Sequence, residues 1–355
     1  MFIKDNFSKS YFENQREYIK NLKSTKFFLR SLLVDFKNYK IPLLDTYDKN
    51  YHFDFSNSTV KKFSKYKNII IIGMGGSILG TRSIYSFLKK KIKKKLFFFD
   101  DLNSNFNLEY KQIKNSCFIV VSKSGNTLET ITNLKNIFSK SILKNKLIII
   151  TELKDSSLMK IGNKLNAEII EHKDFIGGRY SVLSEVGMFP AALMNLKINN
   201  FKNIRRLIYN RNFVSSLVKS VSFIYTLNQR GIKNCVSLNY DYQLNDLCLW
   251  QQQLLAESLG KNKKGIMPTV STCPKDHHSL LQLYLDGPKD KFFTFYSSYG
   301  DGNKKIEKVI SAQCNAVKNI FRKKNIPFRH IFFKKKDEKA LGSIFLFFVL
   351  ETILL

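Results

Sequence analysis

Two segments of this chain set small residues and hydroxyls just before a helix-period stretch, where unpaired backbone N–H groups and the helix dipole favour an anion. The first is Gly73-Met74-Gly75-Gly76-Ser77, after the apolar run Ile69 to Ile72. Its glycines let the backbone turn tightly and approach a ligand. It does not fit the dinucleotide fingerprint, whose third glycine would fall at Ile78, nor the nucleotide P-loop, because Gly80 is followed by Thr81 and Arg82. Alone, this segment is equally compatible with a plain strand-to-helix turn. The second is Ser122-Lys123-Ser124-Gly125-Asn126-Thr127, with Glu129 in the first turn of the helix it opens. A helix cap needs one hydroxyl. Three hydroxyls, a lysine and a glycine suit the oxygens of a monosubstituted phosphate.

Taken together, these segments resemble a known family. Ser-x-Ser-Gly-x-Thr after a buried strand looks like the phosphosugar loop of sugar isomerase (SIS) domains, and Gly-Met-Gly-Gly-Ser-Ile-Leu-Gly at 73 to 80 resembles the phosphoglucose isomerases, which pair two such domains. Three further blocks follow in order: Gly177-Gly178-Arg179-Tyr180-Ser181, Gln253 to Lys261 in the pattern Gln-x-x-x-Glu-Ser-x-Gly-Lys, and Asp276-His277-His278-Ser279-Leu280-Leu281-Gln282. Five ordered blocks over roughly residues 60 to 340 carry far more weight than any single motif.

The resemblance implies a reversible aldose-ketose isomerisation of glucose 6-phosphate and fructose 6-phosphate through a cis-enediolate, as used in glycolysis and gluconeogenesis, with no cofactor and no metal. Gly76, Ser77, Ser122, Lys123, Ser124, Thr127 and Thr130 are expected to hold substrate, chiefly its phosphate. Glu257 is expected to carry the proton between C1 and C2, since one carboxylate on one face of the sugar can both remove and return it. Gln253 lies one helical turn earlier on the same face, so an amide and a carboxylate can meet one substrate. Arg179, after paired glycines, is expected to stabilise the anionic enediolate. His278, rather than His277, aligns with the histidine that opens the sugar ring, a task suited to imidazole. In the family that histidine reaches a neighbouring subunit's site, which implies a homodimer with shared active sites. The family also uses a lysine beyond its last long helix. This chain stops at Leu355 inside an apolar helix without Gly, Asn or a basic residue to close it, so a truncated C-terminus is expected.

Positioning these residues calls for alternating strands and helices. From Asn68 onward, short apolar runs are followed by small-residue loops and helix-period stretches, the pattern of doubly wound α/β sheets. Strands are predicted at 69–72, 96–99, 117–121, 147–151 and 168–171, then at 235–238, 292–296 and 328–333. Helices are predicted at 78–89, 127–138, 157–165, from 184, at 242–259, near 276–285, at 304–324 and at the end of the chain. Thus the expected fold is α/β, two SIS-type doubly wound parallel-sheet lobes with an N-terminal helical segment: 1–60 helical, 61–200 the first SIS domain, 201–230 a bridging helical segment, 231–355 the second SIS domain.

Composition sets the remaining bounds. With 355 residues, 44% of them hydrophobic, the chain has material for two cores. Five scattered cysteines without a CxxC pair argue against a disulfide framework or a zinc site and fit a cytoplasmic thiol complement. Lysine and arginine number 59 against 28 acidic residues, a formal +31, but the basic residues are spread along the chain and read as solvated surface. No nucleic-acid partner is therefore expected. The N-terminus carries Asp5, Glu13 and Glu17 and no apolar core, and the apolar stretch 341–355 is shorter than a membrane span and contains Glu351, so no membrane partner is expected either. Two other readings stay open at this point: a catalytically silent SIS module that binds a sugar phosphate as a signal, and, from charge alone, a nucleic-acid binder whose affinity would fall steeply with salt.

Overall fold

The computed structural model describes residues 2–4, 16–102, 108–140, 143, 145–299 and 304–355, so the stretch 5–15 of the expected helical segment lies outside the described residues. The chain forms two compact units, Pro42–Lys202 and Met1–Ile41 together with Asn203–Leu355. The chain opens with strand β1 (Phe2–Lys4) and helix α1 (Arg16–Lys37), which belong to the second of these.

The unit Pro42–Lys202 runs α2 (Asn57–Ser64), β2 (Asn68–Ile72), α3 (Gly76–Phe87), β3 (Lys95–Phe99), β4 (Ser116–Val121), α4 (Leu128–Lys140), β5 (Leu147–Thr151), α5 (Ser157–Lys164), β6 (Glu168–Glu171) and α6 (Glu185–Leu193). Its five strands are parallel in the order β3-β2-β4-β5-β6. The central strands are near-continuous apolar runs because helices cover both faces of a parallel sheet, and β4 and β5 are buried throughout. Ile70, Ile72, Phe118, Val120, Leu147 and Ile149 form one core with Leu134 of α4 and Leu158 of α5. The strand order reverses between β2 and β4, and ligands of open α/β sheets bind outside the carboxyl ends at such a point. The loops at Gly73 and Ser122 leave those two ends.

The other unit continues with α7 (Arg211–Gln229), β7 (Asn234–Asn239), α8 (Asn245–Leu259), β8 (Met267–Thr272), β9 (Lys291–Ser298), α9 (Lys304–Lys323), β10 (Phe328–Phe333) and α10 (Glu338–Leu354). Its sheet order is β1-β10-β9-β7-β8, parallel except that β1 runs antiparallel to β10. Here α10 is buried almost all round, and Glu351, the charge inside its apolar stretch, pairs with the buried Arg329 of β10 and accepts from Ser220 of α7. Among the described residues no helix is long and apolar enough to cross a membrane.

Several elements differ from the sequence expectation. Residues 16–41 go with one unit and residues 42–60 with the other, and the expected bridge at 201–230 contains α7, which packs on α1 inside its own unit. Strands β1 and β8 were not expected. β8 is an edge strand with alternating burial and carries Pro268, which is tolerated there because an edge position needs no donated ladder bond on its open side. The expected helix near 276–285 is a 3₁₀ turn, Lys275–His278, followed by a short helix, Leu281–Asp286.

Candidate active site

The loop after β2 turns on Gly75, whose φ of 52° is costly for any residue with a side chain, and α3 starts at Gly76. A Cβ on Gly76 would lie 2.3 Å from the carbonyl carbon of Gly178 and 2.6 Å from the amide nitrogen of Arg179. This glycine is therefore where the helix start touches the Gly-Gly-Arg segment. Ser181 Oγ ties the same place together, donating to Gly178 O at 2.7 Å and to Gly76 O at 3.3 Å. One turn on, Gly80 packs on Val182, where an added Cβ would fall 2.8 Å from Cγ2. Arg179 is half-buried, its guanidinium 4.7 Å from the centre of the Tyr180 ring. Ser77, in the first turn of α3, is half-buried as well.

In the loop after β4, Ser122 is buried and its Oγ lies 2.9 Å from Thr127 Oγ1, while accepting from Gly125 N at 3.1 Å. Gly125 has φ +69°, and a Cβ there would lie 2.2 Å from Ser156 Oγ, so glycine is required both by backbone and by space. Ser124 is exposed and accepts from Asn126 N at 3.2 Å. Asn126 Oδ1 in turn accepts from Ser157 N at 2.9 Å, which fixes the loop against the start of α5. Thr130 lies one turn beyond Thr127, fully buried, with no hydrogen-bond partner on Oγ1. Lys123 donates to Asp174 O at 2.6 Å and lies 3.6 Å from Glu152. Hydrogen bonding from Lys154, with Lys123 nearby, lowers the pKa of the Glu152 carboxyl. The loop thus gathers Ser122, Ser124 and Thr127 around one helix start, with Thr130 beneath them and the Lys123 ammonium tied to β-loop oxygens at its side.

In the other unit, α8 buries Leu247, Trp250, Gln251, Leu254 and Leu255 along one face, which leaves Gln253 and Glu257 on another. Gln253 Nε2 donates to Glu257 Oε2 at 3.1 Å, and Glu257 is exposed. The amide aims the carboxylate, and Gly260 closes the helix one turn later. The two adjacent histidines have different surroundings. His277 Nε2 lies 2.8 Å from Tyr240 Oη, and burial, with His278 beside it, lowers its pKa, whereas His278 is exposed. Asp276 holds this turn: its carboxylate accepts from Ser271 Oγ at 2.9 Å and Thr272 N at 2.7 Å. Sequence reading placed Ser181 and Asp276 inside motifs without giving them a role, and did not single out Tyr240. Each supports a neighbour rather than facing a ligand, and only its contacts reveal it.

This chain is similar to known proteins. The phosphoglucose isomerase family profile matches residues 51–277, which includes every residue above except His278, one position past the matched end. A glucose-6-phosphate isomerase of Methanocaldococcus jannaschii is 34% identical over 281 residues, 74% of this chain and 69% of that protein. Among solved structures, a hypothetical protein of Thermus thermophilus superposes with a TM-score of 0.77 at 19% identity, covering 98% of this chain and 91% of the other. A glucose-6-phosphate isomerase of Chlamydia trachomatis does so with a TM-score of 0.70 at 18% identity, covering 84% and 66%. At such identities the structural matches speak for the fold.

Proposed function

This chain belongs to the phosphoglucose isomerase family, and from that premise we infer that it interconverts glucose 6-phosphate and fructose 6-phosphate. The observation that carries the mechanism is the Gln253–Glu257 pair, a carboxylate aimed by an amide 3.1 Å away on the open side of α8. Glu257 takes the proton from C2 of the aldose or C1 of the ketose and returns it to the neighbouring carbon. The electron pair released moves into the C1–C2 bond and gives the enediolate, so one base serves both directions. Arg179 offsets the charge that develops on the enediolate oxygen. Gly76, Ser77, Ser122, Ser124 and Thr127 hold the phosphate by hydroxyls and by the N–H groups at two helix starts. Thr130 and Lys123 shape and charge the loop from beneath and beside. His278 exchanges protons with the ring oxygen during opening. Its exposure supports a homodimer in which this histidine serves the partner's site, and the five cysteines, all buried and unpaired, support a reducing compartment such as the cytoplasm.

The test is Glu257→Gln in a coupled assay in both directions, beside a binding measurement with fructose 6-phosphate. Removing a general base costs on the order of 100- to 10,000-fold in kcat, while the amide keeps the size and one hydrogen bond of the carboxylate, so binding persists. A variant within a few-fold of the wild-type rate removes Glu257 from this role. A wild-type protein that binds the sugar phosphate and turns nothing over is the silent binding module instead.

A further inference from the structure

At the amino ends of β2, β3 and β4 lies a cavity of about 630 Å³, lined by Lys65, Lys67, Lys93, Lys94, Lys95 and Lys111, with Glu109 as its single acidic residue. Register places it at the far end of the strands that carry the loops described above: Asn68, which begins β2, pairs with Lys95 and with Ser116, whereas those loops leave the other ends of β2 and β4. The lysines come from three separate stretches, after α2, at the start of β3, and on the short helix Tyr110–Lys114. One of them is built into the fold. Lys94 donates to Ser64 O at 2.7 Å, the last carbonyl of α2, and to Tyr66 O just beyond it.

Among the described residues, Lys67, Lys93, Lys95 and Lys111 have no carboxylate within ion-pair distance. A lysine run on a surface can spread its charges into water. Here the exposed lysines line one concavity, whose shape focuses their potential toward a single ligand. We propose that this cavity is a second anion site, which takes a linked chain of phosphates such as the triphosphate group of a nucleotide or free tripolyphosphate. A chain of phosphates offers several lysines from three stretches of the chain more acceptors than a single phosphate does, and lysine binds phosphate as a mobile point charge without demanding bidentate geometry. The proposal stands on the lysine arrangement alone and does not rest on the isomerase reading.

The experiment is calorimetric titration of the whole protein with tripolyphosphate and, separately, with ATP, each with saturating fructose 6-phosphate present so that the loop at Ser122 is occupied. Three proteins are compared: wild type, the triple variant Lys67→Gln, Lys95→Gln, Lys111→Gln, and a charge control, Lys20→Gln, Lys23→Gln, Lys26→Gln on the exposed side of α1. The expected result is one site per chain in wild type and control, weakened at least tenfold in the cavity variant and weakened further by salt. Tighter binding of ATP than of tripolyphosphate assigns the nucleoside source, and equal binding assigns the phosphate chain itself. Equal loss in both triple variants, or complete displacement of tripolyphosphate by fructose 6-phosphate, overturns the proposal. Melting temperatures of all three proteins show whether a loss of binding reflects a loss of fold.

Discussion

The residues proposed to carry the reaction differ in how they are held. Glu257 is aimed by one neighbour on its own helix, which a four-residue spacing reveals. His278, which the motif already sets apart, is further distinguished from His277 because Tyr240 takes the latter, a contact 37 positions away in sequence. A third case shows what spacing cannot reveal. Lys202 is fully buried, its ammonium 4.3 Å from the centre of the Tyr51 ring and 3.8 Å from that of Phe53, with no hydrogen-bond partner on Nζ. Burial lowers its pKa to about 7, opposed by Glu185 and Asp48. An unfolded lysine titrates near 10.4, so from about pH 7 to about pH 10 the unfolded chain binds more protons than the folded one. Stability contributed by this residue therefore rises with pH across that window and is flat, at its lowest, below it. Lys202→Met removes this dependence while keeping the length of the side chain. Urea unfolding at pH 7 and pH 9 checks it: wild type gains up to ~1.4 kcal/mol per pH unit relative to the variant. Parallel stability curves would mean that Lys202 keeps an ordinary pKa inside the fold.

At the scale of elements, the close approach of α3 to the Gly178–Arg179 backbone is what fixes the arginine. Gly76→Ala places a methyl 2.3 to 2.6 Å from backbone atoms, which cannot rotate away. Overpacking of this kind costs ~1–3 kcal/mol, and in the role proposed for Arg179 its displacement is expected to lower kcat by about 10- to 100-fold, since misplacement of ~1 Å in a catalytic group is that costly. Gly178→Ala is the comparison, because a Cβ there meets nothing within 4 Å; its melting temperature should stay close to wild type. A Gly76→Ala protein that matched the wild type in both melting and turnover would show that this contact does not position Arg179. The glycines of this loop were visible in the sequence, but their reason was not: Gly75 serves the turn and Gly76 the packing of a segment a hundred residues later. Buried parallel strands such as Ile69 to Ile72 were legible because burial on both faces makes them continuous apolar runs. β8 was not, because its alternating Met-Pro-Thr-Val-Ser-Thr lies at an edge and resembles a loop. The turn at Asp276 read as helix because its periodicity is right for two turns, while the Asp276 carboxylate bonds backward to Ser271 and Thr272 and breaks the helix into a 3₁₀ turn and a short helix.

For the whole molecule, the sequence suggested a helical head followed by two lobes in series, whereas the first stretch of chain belongs with the last. Nothing local encodes this, because α1 is an amphipathic helix whose partner lies some two hundred residues on. Long-range contacts make the pairing: Asn21 donates to Thr226 Oγ1 and to Gln229 Oε1, both at 2.8 Å, Ser222 Oγ donates to Thr25 Oγ1 at 3.0 Å, and Glu17 pairs with Arg230. β1 adds the outer strand beside β10. Pro42–Lys202, by contrast, is one continuous stretch with its own five-stranded sheet and core. Expressed alone, residues 42–202 should therefore unfold cooperatively in urea with native-like circular dichroism. Residues 203–355 alone should not, since α7 would expose the face that α1 covers, with its buried hydroxyls Ser222 and Thr226, and β10 would become an open edge. Adding residues 1–41 as a separate peptide should restore a cooperative transition and protect the amides of α7 and β10 from hydrogen exchange. If 203–355 by itself unfolds as sharply as the same fragment with the peptide, the first forty residues decorate that unit without completing it.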